Sequence, residues 1–201
     1  MQYLLVLIFF LNSLIGCSQD SKVRYFATIG VSCSKFYDEL DRKDQFVYFL
    51  MPESGLSIQY SKSSSFGFES SIQFQGKGSK LNNGALKLNY LTVPLSAIFY
   101  IGGNKDLSLS SGIYISRIIS KKLNGNINTN SAKDISDWDY GFDFRFAFPI
   151  IKIGANKISI YSRFQYGLND VYNPLKYFNS GSSYIIWHRI KSFTFGLRCS
   201  I

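Results

Sequence analysis

From Asp139 to Phe148 the chain reads Asp-Tyr-Gly-Phe-Asp-Phe-Arg-Phe-Ala-Phe, with a large aromatic at every second position and charged or small residues between them. A helix would spread those rings around its circumference. A strand puts Tyr140, Phe142, Phe144, Phe146 and Phe148 on one face and Asp139, Gly141, Asp143, Arg145 and Ala147 on the other. One face needs apolar surroundings, and the other needs water or ion pairs.

The same two-residue period recurs between clusters of Gly, Asn, Ser and Asp of the kind that make turns. Val23 to Val31 alternates with Arg24, Phe26, Thr28, Gly30 and Ser32. Leu56, Ile58 and Tyr60 alternate with Ser57, Gln59 and Ser61, and Phe68, Ile72 and Phe74 with Glu69, Ser71, Gln73 and Gln75. Leu86 to Ile101 is apolar on both faces, so its phase is not readable. Leu107 to Ile115, the Asp139 stretch, Ile158 to Tyr166 and Phe193 to Ile201 complete a set of about eight strands. With 17% aromatic residues and only 17% charged ones, against an average near 25%, the chain of 201 residues has a large apolar surface to place.

Tyr3 to Gly16 is an apolar run, too short for a membrane-spanning helix, which takes about 20 residues. It reads as a signal-peptide core, with residues 1–18 removed and 19–201 forming one barrel domain. A rival reading takes Leu14-Ile15-Gly16-Cys17 as a lipoprotein signal whose cysteine is lipidated. Either route exports the chain. Beyond the leader only Cys33 and Cys199 remain, which excludes a disulfide-rich scaffold. No later segment has the makeup of a transmembrane helix, so a membrane location would rest on strands.

Connection lengths alternate as well. Long polar connections run from Lys35 to Ser54, Lys121 to Asp137 and Asn169 to Trp187, and short ones contain Ser63-Ser64-Ser65, Gly102-Gly103-Asn104 and Gly154-Ala155-Asn156. Lys80 to Ala85 is the one brief loop on the long-loop side. An up-and-down barrel gathers the long connections on one rim, as outer-membrane barrels do with short periplasmic turns and longer external loops. The expected fold is therefore all-β, a transmembrane antiparallel barrel. A soluble lipocalin-type barrel, with its apolar face inward, and a β-sandwich are the competing architectures.

Glycines and charges decide between the two barrels. Gly30, Gly112, Gly141, Gly167 and Gly196 share the polar face, and a narrow barrel has interior room only for packed side chains. The polar face is thus the expected lumen. Arg24, Glu69, Asp139, Asp143, Arg145, Arg163 and Arg198 lie on it, and the two aspartates are expected to be neutralised by Arg145, Arg163 and Arg198 as a lumen network that fills the bore. Arg117 and Lys191 violate the pattern beside the long-loop rim, where a lipid-facing cation costs only about 0 to 1 kcal/mol. Trp138, Tyr140, Tyr166 and Trp187 collect there as an aromatic girdle. Cys33 and Cys199 sit near opposite ends of neighbouring strands, on the order of 20 to 30 Å apart, too far for a disulfide.

Several segments together resemble the PorT-like outer-membrane β-barrel family of Gram-negative bacteria. They are Gln75-Gly76-Lys77-Gly78, Tyr90-Leu91-Thr92-Val93-Pro94-Leu95, Gly112-Ile113-Tyr114-Ile115-Ser116, Asp139-Tyr140-Gly141 and Arg163-Phe164-Gln165-Tyr166-Gly167-Leu168-Asn169-Asp170. The resemblance spans nearly all of the mature chain and implies an outer-membrane barrel, in a family some of whose members serve protein secretion. Two departures stand out. The chain ends on Ile201 rather than an aromatic residue, and Pro94 lies inside a strand of a barrel that has no free edge, so a bulge is expected at Pro94.

No catalytic, metal or cofactor residues are expected. His188 is the single histidine; paired with Ser192 it would suit a lipid-modifying enzyme, but a rim histidine is the simpler reading, and one histidine gives zinc almost no support. The net charge of +9 is scattered over loops with acids interleaved, and no nucleic-acid motif accompanies it. The expected partners are outer-membrane lipid and lipopolysaccharide, whose phosphates attract basic rims, together with proteins met by the external loops. The function expected is a non-enzymatic scaffold, a surface-recognition protein or a component of envelope assembly or secretion.

Overall fold

The computed structural model describes residues 22–38, 48–81, 84–102, 107–125, 135–153, 156–169, 177–179, 182–184 and 188–201. The leader, Cys17 and Trp187 lie outside the described residues. Eight long strands follow one another as β1 (Lys22–Asp38), β2 (Phe49–Ser61), β3 (Phe66–Leu81), β4 (Gly84–Ile101), β5 (Leu107–Gly125), β6 (Trp138–Ile153), β7 (Asn156–Gly167) and β10 (His188–Ser200), with a small hairpin of β8 (Tyr177–Asn179) and β9 (Ser182–Tyr184) in the connection before β10. Each long strand pairs antiparallel with its chain neighbours, and β1 pairs with β10 to close the barrel. The strands run further into the long connections than the alternation suggested: β1 reaches Asp38, β2 starts at Phe49 and β5 reaches Gly125. Backbone pairing continues there because a partner strand is still alongside.

The orientation follows the sequence pattern. Phe142, Phe144 and Phe146 are 44%, 45% and 41% exposed on the outer wall, whereas Asp143 and Arg145 are 2% and 5% exposed inside. This is the reverse of a lipocalin-type barrel. In β4 the even positions Leu86, Leu88, Tyr90, Thr92, Ser96 and Ile98 are buried in the lumen, and Leu91, Leu95 and Phe99 face outward. The lumen is therefore not polar throughout. Leu86, Leu88, Tyr90, Ile118, Ile135 and Ile190 form an apolar layer toward the long-connection rim.

The bulge expected at Pro94 is absent. Pro94 stays in register with Tyr114 of β5, and the β3–β4 register is unchanged on either side of it; only the rungs between Ser70↔Leu95 and Gln73↔Thr92 are missing. Those are the rungs a Pro94 N–H would have closed, so the lost donor interrupts the ladder without inserting a residue. Extra residues occur instead at Ile119 of β5 and Ile150 of β6, the latter next to Pro149. Cys33 and Cys199 are both free, and the β1–β10 register pairs Cys199 with Ala27, six residues along β1 from Cys33.

The seam between β2 and β3 is closed in an unusual way. Their ladder ends at Glu53↔Gln75, beside Pro52, which has no N–H to offer, while β1 still pairs with Phe49, Leu50 and Met51 and β4 still pairs with Gly76 to Leu81. Above that point the inner face of β1–β2 lies on the outer face of β3. Met51 covers Gly76, where an added Cβ would come within 2.5 Å of the Met51 Cβ, and Phe49 covers Gly78. The Gly78 N–H donates to Ser34 Oγ (2.7 Å), which in turn donates to the Gly78 carbonyl (3.0 Å). The Gly-Lys-Gly segment thus has a spatial reason: two outward positions must be bare for one sheet edge to lie over the other. Gly76→Val is expected to lose about 1 to 3 kcal/mol through overpacking, read as a lower urea midpoint for unfolding in lipid vesicles; an unchanged midpoint would refute the overlap.

Candidate functional site

The buried polar side chains of the barrel stack along the axis in three groups. Nearest the short-turn rim, the Glu69 carboxylate bridges two arginines, with Arg145 Nη2 at 2.7 Å and Arg198 Nη2 at 2.5 Å. Arg198 also donates to Gln59 Oε1 (3.0 Å), and its guanidinium stacks 3.6 Å from the Phe26 ring centroid. Arg145 donates to Ser110 Oγ at 3.3 Å.

Midway along the axis, Arg163 reaches the Glu53 carboxylate at 2.7 Å and Asp143 at 3.5 Å and donates to the Gln73 side-chain carbonyl. Glu53 accepts further hydrogen bonds from Thr194 (2.9 Å) and Tyr161 (3.1 Å), and Asp143 accepts from Gln165 (2.9 Å). The Tyr161 ring has room because Gly30 and Gly196 face each other across β1 and β10; a Cβ on Gly30 would approach the Tyr161 hydroxyl at 2.8 Å.

Toward the long-connection rim, Lys77 Nζ donates to Asp139 Oδ2 at 2.9 Å, and the Tyr114 hydroxyl donates to the same oxygen at 3.0 Å. The ammonium lies 4.5 Å from the Tyr114 ring centroid and 5.1 Å from that of Tyr90, a cation–π setting strengthened by exclusion of water. The apolar layer of Leu86, Leu88, Ile118, Ile135 and Ile190 lies at this same end.

Four carboxylates, Glu53, Glu69, Asp139 and Asp143, therefore meet four cations, Lys77, Arg145, Arg163 and Arg198, all almost completely buried. Of the expected network, Glu69, Asp143, Arg145, Arg163 and Arg198 come together. Asp139 does not meet the arginines expected to neutralise it; it lies nearer the long-connection rim, and its partner is Lys77. Arg24 is half-buried at the short-turn end and makes no ion pair among the described residues. Sequence reasoning missed Glu53, because it falls in an expected connection, and Lys77, because it sits between two glycines. Parity would have found both: Glu53 has the phase of Ser57 and Gln59, and Lys77 that of Glu69 and Gln73.

Ser192 faces the lumen and donates to Gln165 Oε1 (3.4 Å) rather than standing at the lipid boundary. His188 opens β10, in register with Asp38. At the long-connection rim, cations lie over outward-facing rings: Arg117 over Trp138 (5.6 Å) and Lys191 over Tyr166 (5.3 Å). Asp137 at the same rim pairs with Lys121 at 2.8 Å, and the hydrogen bond from that lysine holds its carboxyl below the usual range.

Residues 17–173 match the family described as outer membrane protein beta-barrel domain. No curated protein matches the chain in sequence. Among solved structures the chain is similar to the outer membrane protein OprG from Pseudomonas aeruginosa, at 11% identity and a TM-score of 0.47 over 89% of this chain and 95% of that one. It is similar to Neisserial surface protein A at 11% identity and a TM-score of 0.45 over 87% and 95%. It is also similar to Ail, the attachment invasion locus protein of Yersinia pestis, solved with the heparin analogue sucrose octasulfate, at 11% identity and a TM-score of 0.41 over 90% and 99%.

Proposed function

Because the chain belongs to the outer membrane protein beta-barrel domain family, and so resides in the cell outer membrane, we propose that it works there as a non-enzymatic barrel of PorT-like type. Its task is that of a rigid scaffold whose external long connections recognise other envelope components, in surface recognition or in envelope assembly and secretion. One observation carries the reading: among the described residues, paired side chains occupy the bore at three heights along its axis. Eight buried charges pair with one another across the axis, and an apolar layer stands at the long-connection end. A lumen occupied in this way fixes the wall and leaves no wide path for solute, so recognition falls to the loops that the wall holds in place.

The lipid-modifying reading through His188 has less support. Its suggested nucleophile, Ser192, is turned inward and hydrogen-bonded. The scaffold reading is tested by reconstituting the full chain in planar bilayers. The expected record has no discrete conductance steps above the bare-lipid baseline; stable, long-lived open steps would show a continuous aqueous bore and sink the proposal.

A further inference from the structure

Lys77, Arg145, Arg163 and Arg198 each meet a carboxylate inside the bore. Arg24, nearer the short-turn mouth, meets none among the described residues, although it shares their lumenal phase and is half-buried. It stands directly opposite Gln59 on the neighbouring strand. The Gln59 side chain donates to the Tyr100 hydroxyl and accepts from Arg198 (3.0 Å), and Ser61 Oγ lies 3.1 Å from the same hydroxyl. Arg24 therefore lies beside a ledge of amide and hydroxyl groups laid over the Glu69 cluster.

The charge at this end is one-sided. Arg145 and Arg198 already share Glu69, which leaves no acidic side chain among the described residues here to neutralise Arg24. Lys62 in the β2–β3 turn and Lys152 near the end of β6 are exposed at the same rim. The β2–β3 and β6–β7 turns lie across the ring of eight strands from each other. A low-dielectric wall lined by one sign of charge focuses the field into its mouth and concentrates anions there.

We propose that the short-turn mouth of the bore is a docking site for an acidic segment of a periplasmic protein. Arg24 takes one carboxylate inside the mouth, and Lys62 and Lys152 meet others at the rim. A guanidinium pairs with a carboxylate in bidentate geometry, more strongly than a neutral hydrogen bond. Two observations favour this partner. The exposed lysines stand on opposite sides of the mouth, so a ligand that meets them together with Arg24 carries several negative charges along an extended backbone. Arg24 lies within a narrow bore, which an aspartate or glutamate side chain enters and a sugar ring does not. The inference rests on the scaffold reading and on the periplasmic placement of the short turns. Failure of the scaffold reading appears as open conductance steps, independently of any peptide binding.

The test uses the full chain in nanodiscs of phosphatidylcholine and a fluorescent, C-terminally amidated hexaglutamate peptide, with binding read by anisotropy. A gel-mobility shift on boiling checks that each variant is folded. The parent chain is expected to bind the peptide. Arg24→Gln should weaken binding about tenfold, and Lys62→Gln and Lys152→Gln about threefold each. Lys122→Gln, at the opposite rim, should bind as the parent does. Unchanged binding by Arg24→Gln, an equal loss in Lys122→Gln, or equal binding of an alternating glutamine–serine hexapeptide would overturn the site. Displacement by free glutamate at equal carboxylate concentration would reduce it to a small-anion site and overturn the spanning ligand. Displacement by peptidoglycan fragments at lower concentration than by unlabelled hexaglutamate would assign the mouth to the cell-wall polymer and overturn the protein partner. Placement is read separately, in a background lacking Cys33 and Cys199: a maleimide should label Ser64→Cys only after the outer membrane is permeabilised. Labelling on intact cells would put this mouth outside and overturn the periplasmic source.

Discussion

Glu69→Ala is expected to destabilise the barrel by roughly 3 to 5 kcal/mol, the usual consequence of removing one partner from a buried ion pair. The effect sits at the top of that range because one carboxylate serves two arginines. Arg145 at 2.7 Å and Arg198 at 2.5 Å would both be left in a water-poor lumen without it. The other buried carboxylates are already engaged: Glu53 by Arg163, Thr194 and Tyr161, Asp139 by Lys77 and Tyr114, and Asp143 by Arg163 and Gln165. The measurement is reversible urea unfolding in lipid vesicles, supported by loss of the heat-dependent gel shift at lower temperature. Replacing the whole triad, Glu69→Leu with Arg145→Met and Arg198→Met, should restore much of the loss, since apolar side chains of similar volume often match a buried ionic cluster in stability. An unfolding midpoint for Glu69→Ala equal to that of the parent would mean that the cluster is solvated and the bore open.

Phe144→Arg is expected to cost about 2 to 4 kcal/mol, the range for arginine at the bilayer midplane. Phe144 lies in the middle of the outward run of β6, in register with Ser111 and Phe164 and far from the girdle at Trp138 and Tyr140. The contrast with its neighbour is the point: Arg145 is already an arginine, one residue away, and is stable because it turns inward to Glu69. Moving the same side chain by one residue exchanges a carboxylate for acyl chains. The comparison variant is Arg117→Phe, at the rim over Trp138, which should change stability by less than about 1 kcal/mol. If Phe144→Arg unfolded at the same urea concentration as the parent in vesicles, the outer wall would not be lipid-facing at that height.

The segment Gln75-Gly76-Lys77-Gly78 shows how far a sequence can be read. Its residues read as the close of a strand, which in fact continues to Leu81, and the parity of Lys77 with Glu69 and Gln73 marks it as lumenal. Nothing in the string says that Gly76 and Gly78 are bare because Met51 and Phe49 lie over them, since that depends on where the β2–β3 ladder stops. Pro94 teaches the same lesson in reverse. The missing donor was legible, but whether a strand answers with a bulge or with two absent rungs is settled by its neighbours' register.

The period of two along each strand, with the glycines and charges gathered on one of its faces, was enough to determine an all-β barrel, which face looks out, and six of the eight paired charges inside, because side-chain direction in a strand is set locally by the pleat. The partners of those charges were not so determined. Asp139 meets Lys77 rather than an arginine, and Glu69 holds two arginines from β6 and β10, because height along the axis accumulates from the stagger and bulges of every ladder between two strands, a quantity that exists only once the sheet has closed.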